Sequence, residues 1–175
     1  MIYQLKILLQ HTSPPIWRRI LVDSEIMLSE LHETIQIAFD WSDMHLHCFE
    51  ARKTNGMNLT SRNISIGINE DEFFDLVEYE FDENEEKLSE WLIKEKDKLV
   101  YVYDFGDDWR HEITLEKILQ PEAGRAYPYC VKVMREHAME DSGGVVDEAK
   151  DSDSKALLVE INDCLQRIAK EVNDI

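Results

Sequence analysis

Two histidines separated by one residue, His45 and His47, are the first feature of this chain that could do chemistry. On a strand, alternate side chains share a face, and their Cα atoms lie about 7 Å apart. Neutral imidazoles so placed are workable ligands for a divalent metal such as zinc, iron, nickel or copper. A third ligand has to come from elsewhere in the chain. His32, His111, Asp104, Asp107 and Asp108 are the candidates. A competing reading makes His45 and His47 half-buried strand residues whose ring nitrogens bond to backbone or carboxylates.

Three other groups bear on that chemistry. Asp104-Phe105-Gly106-Asp107 resembles a kinase metal-binding triplet, but no HRD-type loop or glycine-rich phosphate loop accompanies it. It reads either as a turn, with Asp as cap and Gly at positive φ, or as carboxylates that hold a cation or orient a histidine. Trp17-Arg18-Arg19 lies inside an apolar strand, so one of Arg18 and Arg19 is expected to be partly buried and to need a partner. Asp104 and Asp107 are the expected partners, unless the arginine snorkels to water. Cys130 has no activating base nearby in sequence, and Ser142 lies in no GxSxG elbow. Three cysteines without CxxC spacing argue against a disulfide framework and a zinc knuckle, and for a reducing cytoplasm.

The elements that must position these residues follow from periodicity. Tyr3, Leu5, Ile7 and Leu9 alternate with Gln4, Lys6, Leu8 and Gln10, as a half-buried strand does. Pro14-Pro15 breaks it, and Ile16 to Val22 returns as a hairpin partner. Leu28, Leu31, Ile35, Ala38 and Phe39 form a helical stripe, with Ser29 as N-cap. A strand follows over residues 44–51, then Asn55-Gly56 as a turn and a short strand around 57–60. Residues 88–93 read as a short helix. Lys98 to Phe105, apolar on both faces, predicts a central strand, and Trp109 to Glu116 its hairpin partner. Residues 121–153 read as loop. From about 154 to 173 an amphipathic helix presents Leu157, Ile161, Cys164, Leu165, Ile168 and Val172 on one face. The expected class is α+β: a mainly antiparallel sheet built from hairpins, with helices packed on it. At 175 residues, a single domain is expected.

The formal net charge is −18, which argues against broad binding to a phosphate backbone but leaves room for a small local basic patch. Residues 70–90 hold eleven Asp or Glu and one Lys, more than half of that net charge. They read as an acidic insertion anchored by aromatics. No run of 18 apolar residues predicts a membrane span, and the first residues lack the pattern of a secretory signal.

An ordered set of short motifs runs through most of the chain. Pro14-Pro15-Ile16-Trp17-Arg18-Arg19 comes first, then Leu31-His32, Ile35-Gln36, Ala38-Phe39 and Trp41, then His45-Leu46-His47-x-Phe49. Tyr103-Asp104-Phe105-Gly106-Asp107-Asp108-Trp109-x-His111, Tyr127-Pro128-x-Cys130 and Glu140-Asp141-x-Gly143-Gly144 follow. Over about residues 1–148 the chain resembles the plasmid pRiA4b ORF-3-like family. The resemblance implies an intracellular α+β domain, no settled activity, and an association with mobile elements. Ala138-Met139 and Ser142 stand where family variants carry proline or cysteine, so no cysteine-cluster metal site is implied.

These residues lead to three expectations. The first is a cytoplasmic binding or interaction module with a protein partner, whose best site is a polar cluster of His32, His45, His47, Asp104, Asp107 and His111 braced by Arg18 or Arg19. The second is a metal-dependent hydrolase or nuclease using the same residues, with His45 and His47 as metal ligands and a bound water as nucleophile. The third is an acidic surface that binds a basic partner or mimics nucleic acid. The terminal helix offers a seam for an oligomer.

Overall fold

A computed structural model describes residues 1–53, 62–68, 79–144, 146 and 153–173. Its strands are β1 (Ile2–Leu9), β2 (Ile16–Asp23), β3 (His47–Lys53), β4 (Arg62–Gly67), β5 (Phe81–Asp82), β6 (Lys98–Tyr103), β7 (Trp109–Leu119) and β8 (Tyr129–Met134). Its helices are α1 (Leu28–Phe39), α2 (Leu88–Trp91) and α3 (Ser154–Asn173). All eight strands form one sheet in the order β5-β4-β3-β6-β7-β1-β2-β8. Every neighbouring pair is antiparallel except β4–β5. The class is α+β, as the hairpins imply.

One face of the sheet is the core. Period-two alternation sends Leu5, Ile7 and Leu9 inward from β1, and Ile16, Arg18 and Ile20 from β2. Leu99, Tyr101 and Tyr103 of β6 and His111, Ile113 and Leu115 of β7 continue that face. The α1 stripe of Leu28, Leu31, Ile35 and Phe39 is fully buried against this core. Burying such a side chain stabilises the fold by roughly 1.5–3 kcal/mol, so the stripe alone fixes which side of α1 meets the sheet.

The start of α1 differs from the expectation. Met27, not Ser29, is the N-cap residue, and Glu30 Oε2 accepts its N–H at 2.9 Å. The acidic residue in the first turn therefore does the capping. The helix stops at Asp40, which turns left-handed (φ 54°), and the Trp41 N–H bonds back to the Gln36 carbonyl at 3.0 Å.

Two further expectations need correction. Residues 121–153 are not all loop, because 129–134 form strand β8. Here Cys130 and Val133 are buried while Lys132 points out, and a bulge opposite Arg19/Ile20 hides the alternation. Cys164 does not join the buried face of α3: Ile161 and Leu165 are buried there, and Cys164 is exposed. The expected turn at 55–56 and strand at 57–60 lie outside the described residues. At the β8 edge, Asn162 of α3 accepts the Cys130 N–H through Oδ1 and donates Nδ2–H to the Cys130 carbonyl, both at 2.8 Å. No helix among the described residues is long and apolar enough to cross a membrane.

Candidate functional site

The first histidine of the site comes from α1. His32 lies one turn after Leu28 and one turn before Gln36, on the buried side of the helix. Its Nδ1 lies 2.7 Å from the Tyr101 hydroxyl, and the Gln36 Nε2–H donates to the same hydroxyl at 2.8 Å. Burial pushes the Tyr101 hydroxyl's pKa well above the ordinary value, so it stays a neutral phenol. The left-handed turns at Asp40 and Asp43 then fold the chain back over the helix end. Asp43 donates its N–H to Gln36 Oε1 at 3.0 Å and sets its carboxylate 3.0 Å from His32 Nε2.

The second histidine comes from the sheet. His47 opens β3 opposite Tyr103, and its ring lies flat on that of His32, with centroids 3.5 Å apart and planes 5° apart. Both oxygens of Glu83 meet His47 Nε2, at 2.9 and 3.0 Å. Glu83 follows β5 and is 1% exposed. A positive charge on one of two rings stacked this closely disfavours a charge on the other. Burial, with the His47 ring adding to it, pushes the His32 pKa down to about 3. His32 is therefore a neutral ring at neutral pH. One ligand atom from each of His32, Asp43 and His47 falls within 4.8 Å of the others.

His45 belongs to a different cluster. It precedes β3 instead of lying on it, so the HxH spacing does not place the two rings side by side. His45 Nε2 is 3.1 Å from Asp141 Oδ1 and 3.7 Å from Asp104 Oδ2. Asp104 Oδ1 is already occupied, accepting the N–H groups of Gly106 (2.9 Å) and Asp107 (3.3 Å). In that turn the residues at positive φ are Asp104 (55°) and Asp108 (53°), not Gly106. Asp107 leaves the cluster and accepts the Gly143 N–H at 3.0 Å. Gly144 completes this junction: a Cβ there would meet the Asp107 carbonyl at 2.8 Å. Glu140 binds the Ser42 backbone and hydroxyl, and accepts the Tyr103 hydroxyl at 2.6 Å. The Glu-Asp-x-Gly-Gly motif thus straps its loop onto the segment between α1 and β3 and onto the β6–β7 turn.

The remaining candidates stand apart from both clusters. His111 is wholly buried, edge-on to Phe39 and Trp41 with centroids 4.7 and 4.9 Å away. Among the described residues neither ring nitrogen has a partner in hydrogen-bonding geometry. Burial pushes its pKa down to about 3, although the nearby Tyr101 and Trp109 backbone opposes the shift.

Arg18 is fully buried, yet its partners are carbonyls and not Asp104 or Asp107. Its Nε–H donates to Ala38 O at 2.7 Å, and Nη1 donates to Trp17, Met134 and Arg135 carbonyls at 3.0 to 3.2 Å. Ala38 sits at the C-terminal end of α1, where the helix dipole is negative, so a cation is favoured there without a carboxylate. Arg19 faces the other side of the sheet and pairs in bidentate fashion with Glu116, at 2.5 and 2.8 Å.

Sequence reasoning missed Gln36, Asp43, Tyr101 and Glu83 as parts of the site. Gln36 had a readable signal, one turn from His32, and Tyr101 lies on the inward alternation of β6. Nothing local marks Glu83 among the eleven acidic residues of 70–90.

Comparison with known proteins gives consistent results. The family model for plasmid pRiA4b ORF-3-like protein matches residues 1–152. Uncharacterized protein y4hQ of Sinorhizobium fredii is 31% identical over 144 residues, covering 82% of this chain and 67% of that protein. A crystal structure of a protein of unknown function, MM3350 from Methanosarcina mazei Go1, superposes with a TM-score of 0.69. That pair is 36% identical over 81% of this chain and 74% of the other. With matching sequence, motifs and fold, the chain belongs to the plasmid pRiA4b ORF-3-like family.

Proposed function

We propose that the chain is a binding module whose specific element is a divalent-cation site made by His32, Asp43 and His47. One observation carries this reading: two imidazoles and a carboxylate, from His32, His47 and Asp43, each bring a ligand atom within 4.8 Å of the others. Two imidazoles and a carboxylate suit zinc and its borderline neighbours. The surrounding bonds suit ligation too. A metal-bound His32 would use its Nε2 lone pair and donate Nδ1–H to the Tyr101 oxygen, which Gln36 already holds in place. Glu83 would orient His47 in the same way.

A hydrolase would need a substrate cavity against the metal. Three clefts among the described residues, of about 360, 590 and 370 Å³, are lined by other residues. That favours binding over turnover.

The test is zinc titration by calorimetry on chelator-stripped, tag-free protein. About one equivalent should bind. His47→Ala and Asp43→Asn should abolish or weaken binding at least tenfold with the circular dichroism unchanged. His45→Ala, which touches only the second cluster, should leave it intact. Zinc binding that survives both His47→Ala and Asp43→Asn, or no binding by the wild type, overturns the reading.

A further inference from the structure

The outer face of the sheet, remote from the histidines, carries an unusual row. Cross-strand register sets Lys6 of β1 opposite Arg19 of β2, and Arg19 opposite Lys132 of β8. Like charges placed directly opposite one another oppose sheet formation. Three cations in adjacent strands, in a chain of net charge −18, need a reason. Among the described residues only Arg19 makes a direct ion pair, with Glu116, whose carboxylate also feels the Lys6 charge. Neither Lys6 nor Lys132 has a carboxylate within 4 Å among the described residues.

The neighbouring row is apolar. Leu8 faces Trp17, and Trp17 faces Met134, all half-buried. All three cations lean over the Trp17 ring: Lys6 Nζ at 5.3 Å, Arg19 Cζ at 5.1 Å and Lys132 Nζ at 5.5 Å. The result is a cationic row flanked by an apolar one, on the open side of the sheet.

We infer that this face docks an acidic peptide segment of a partner protein, one in which carboxylates alternate with apolar side chains. Charge complementarity selects an anionic partner. The apolar row gives the non-charged half of such a segment a place to bury. Glu116 shows the fit in miniature, since Arg19 grips both its oxygens while Gln4 donates a third bond at 2.8 Å. A nucleic acid fits less well. Its bases need a free aromatic face, and the Trp17 ring is engaged by three cations, while the chain's net charge repels a long phosphate backbone.

The probe is a fluorescein-labelled decapeptide of alternating glutamate and leucine, followed by anisotropy at 50 and 300 mM salt. A fluorescein-labelled ten-nucleotide thymidine strand is run beside it. The peptide should bind, and bind at least tenfold more weakly at high salt. The pair Lys6→Glu and Lys132→Glu should abolish binding, and Trp17→Ala should weaken it about tenfold. Lys6→Arg with Lys132→Arg, which keeps the charge and the fold, should restore it. No peptide binding, binding indifferent to the charge reversals, or tighter binding of the thymidine strand each overturns the inference. These variants lie on the face of the sheet away from the histidines and should leave zinc binding unchanged, so this inference and the cation site stand or fall separately.

Discussion

His111 is a basic group locked away from water, and acid should make that visible. Its ordinary pKa is near 6.5, and in the folded chain it is pushed down to about 3 by burial among Phe39, Trp41 and Tyr101, with the Arg18 charge adding to the effect. Protonation therefore favours the unfolded chain. The folded state keeps its full stability from this group above pH 6.5, and loses it progressively as pH falls toward 3. At pH 5 the loss is about 2 kcal/mol by linkage. The perturbation is His111→Leu, which removes the titration and keeps an apolar side chain in the core. The assay is urea unfolding at pH 7.5 and 5.0, in chelator so that no cation complicates His32. Whatever the variant's stability at pH 7.5, its drop between the two pH values should be smaller than the wild type's by about 2 kcal/mol. Equal drops in the two proteins would refute the argument, because they would mean that His111 is hydrated or partnered when folded.

Other outcomes follow from the same geometry. In native protein a thiol reagent at pH 8 should label Cys164 alone, with Cys48 and Cys130 joining only in denaturant. Burial pushes those two thiols up to about 12 and 11, and Cys164 is exposed. Arg18→Ala should cost roughly 3–5 kcal/mol in urea unfolding, because four carbonyls lose their donor inside the core. Arg18→Met, which refills the space but supplies no donor, should recover only the packing part of that loss. Tyr101→Phe should leave the fold intact but weaken zinc binding about 10- to 100-fold in the same calorimetric titration, because His32 loses the group that orients it.

Much of the fold could be read because its signals are local. The β1–β2 hairpin, the central β6, and α1 from Leu28 to Phe39 each announce themselves by period and by a breaker at their end. β8 escaped because a bulge opposite Arg19/Ile20 breaks its alternation, and because its burial comes from α3 rather than from its own sequence. The site was half legible. Residue type singled out His32 and His47, but their stacking joins a helix to a strand fifteen residues later, and spacing cannot encode that. The HxH pattern misled for a simple reason: the strand begins at His47, so alternation does not extend back to His45. Arg18 shows the same limit. Its burial was foreseeable from Ile16 and Ile20, whereas its neutral carbonyl partners come together only where the end of α1 and the end of β8 meet β2.

The clamp between Asn162 and Cys130 reaches beyond one hydrogen-bonded pair. β8 is the last strand of the sheet, and the backbone groups of Cys130 that a ninth strand would have used are taken instead by a side-chain amide. Asn162 is a counterfeit strand one residue long, carried on a helix. The family match ends at residue 152, just before that helix begins at Ser154. The residues the family model matches are thus closed off by a helix that lies beyond them. Lifting α3 would give the sheet a sticky end, able to zip onto the matching edge of another molecule. The helix thus covers one position of an open edge in addition to packing Ile161 and Leu165 into the core.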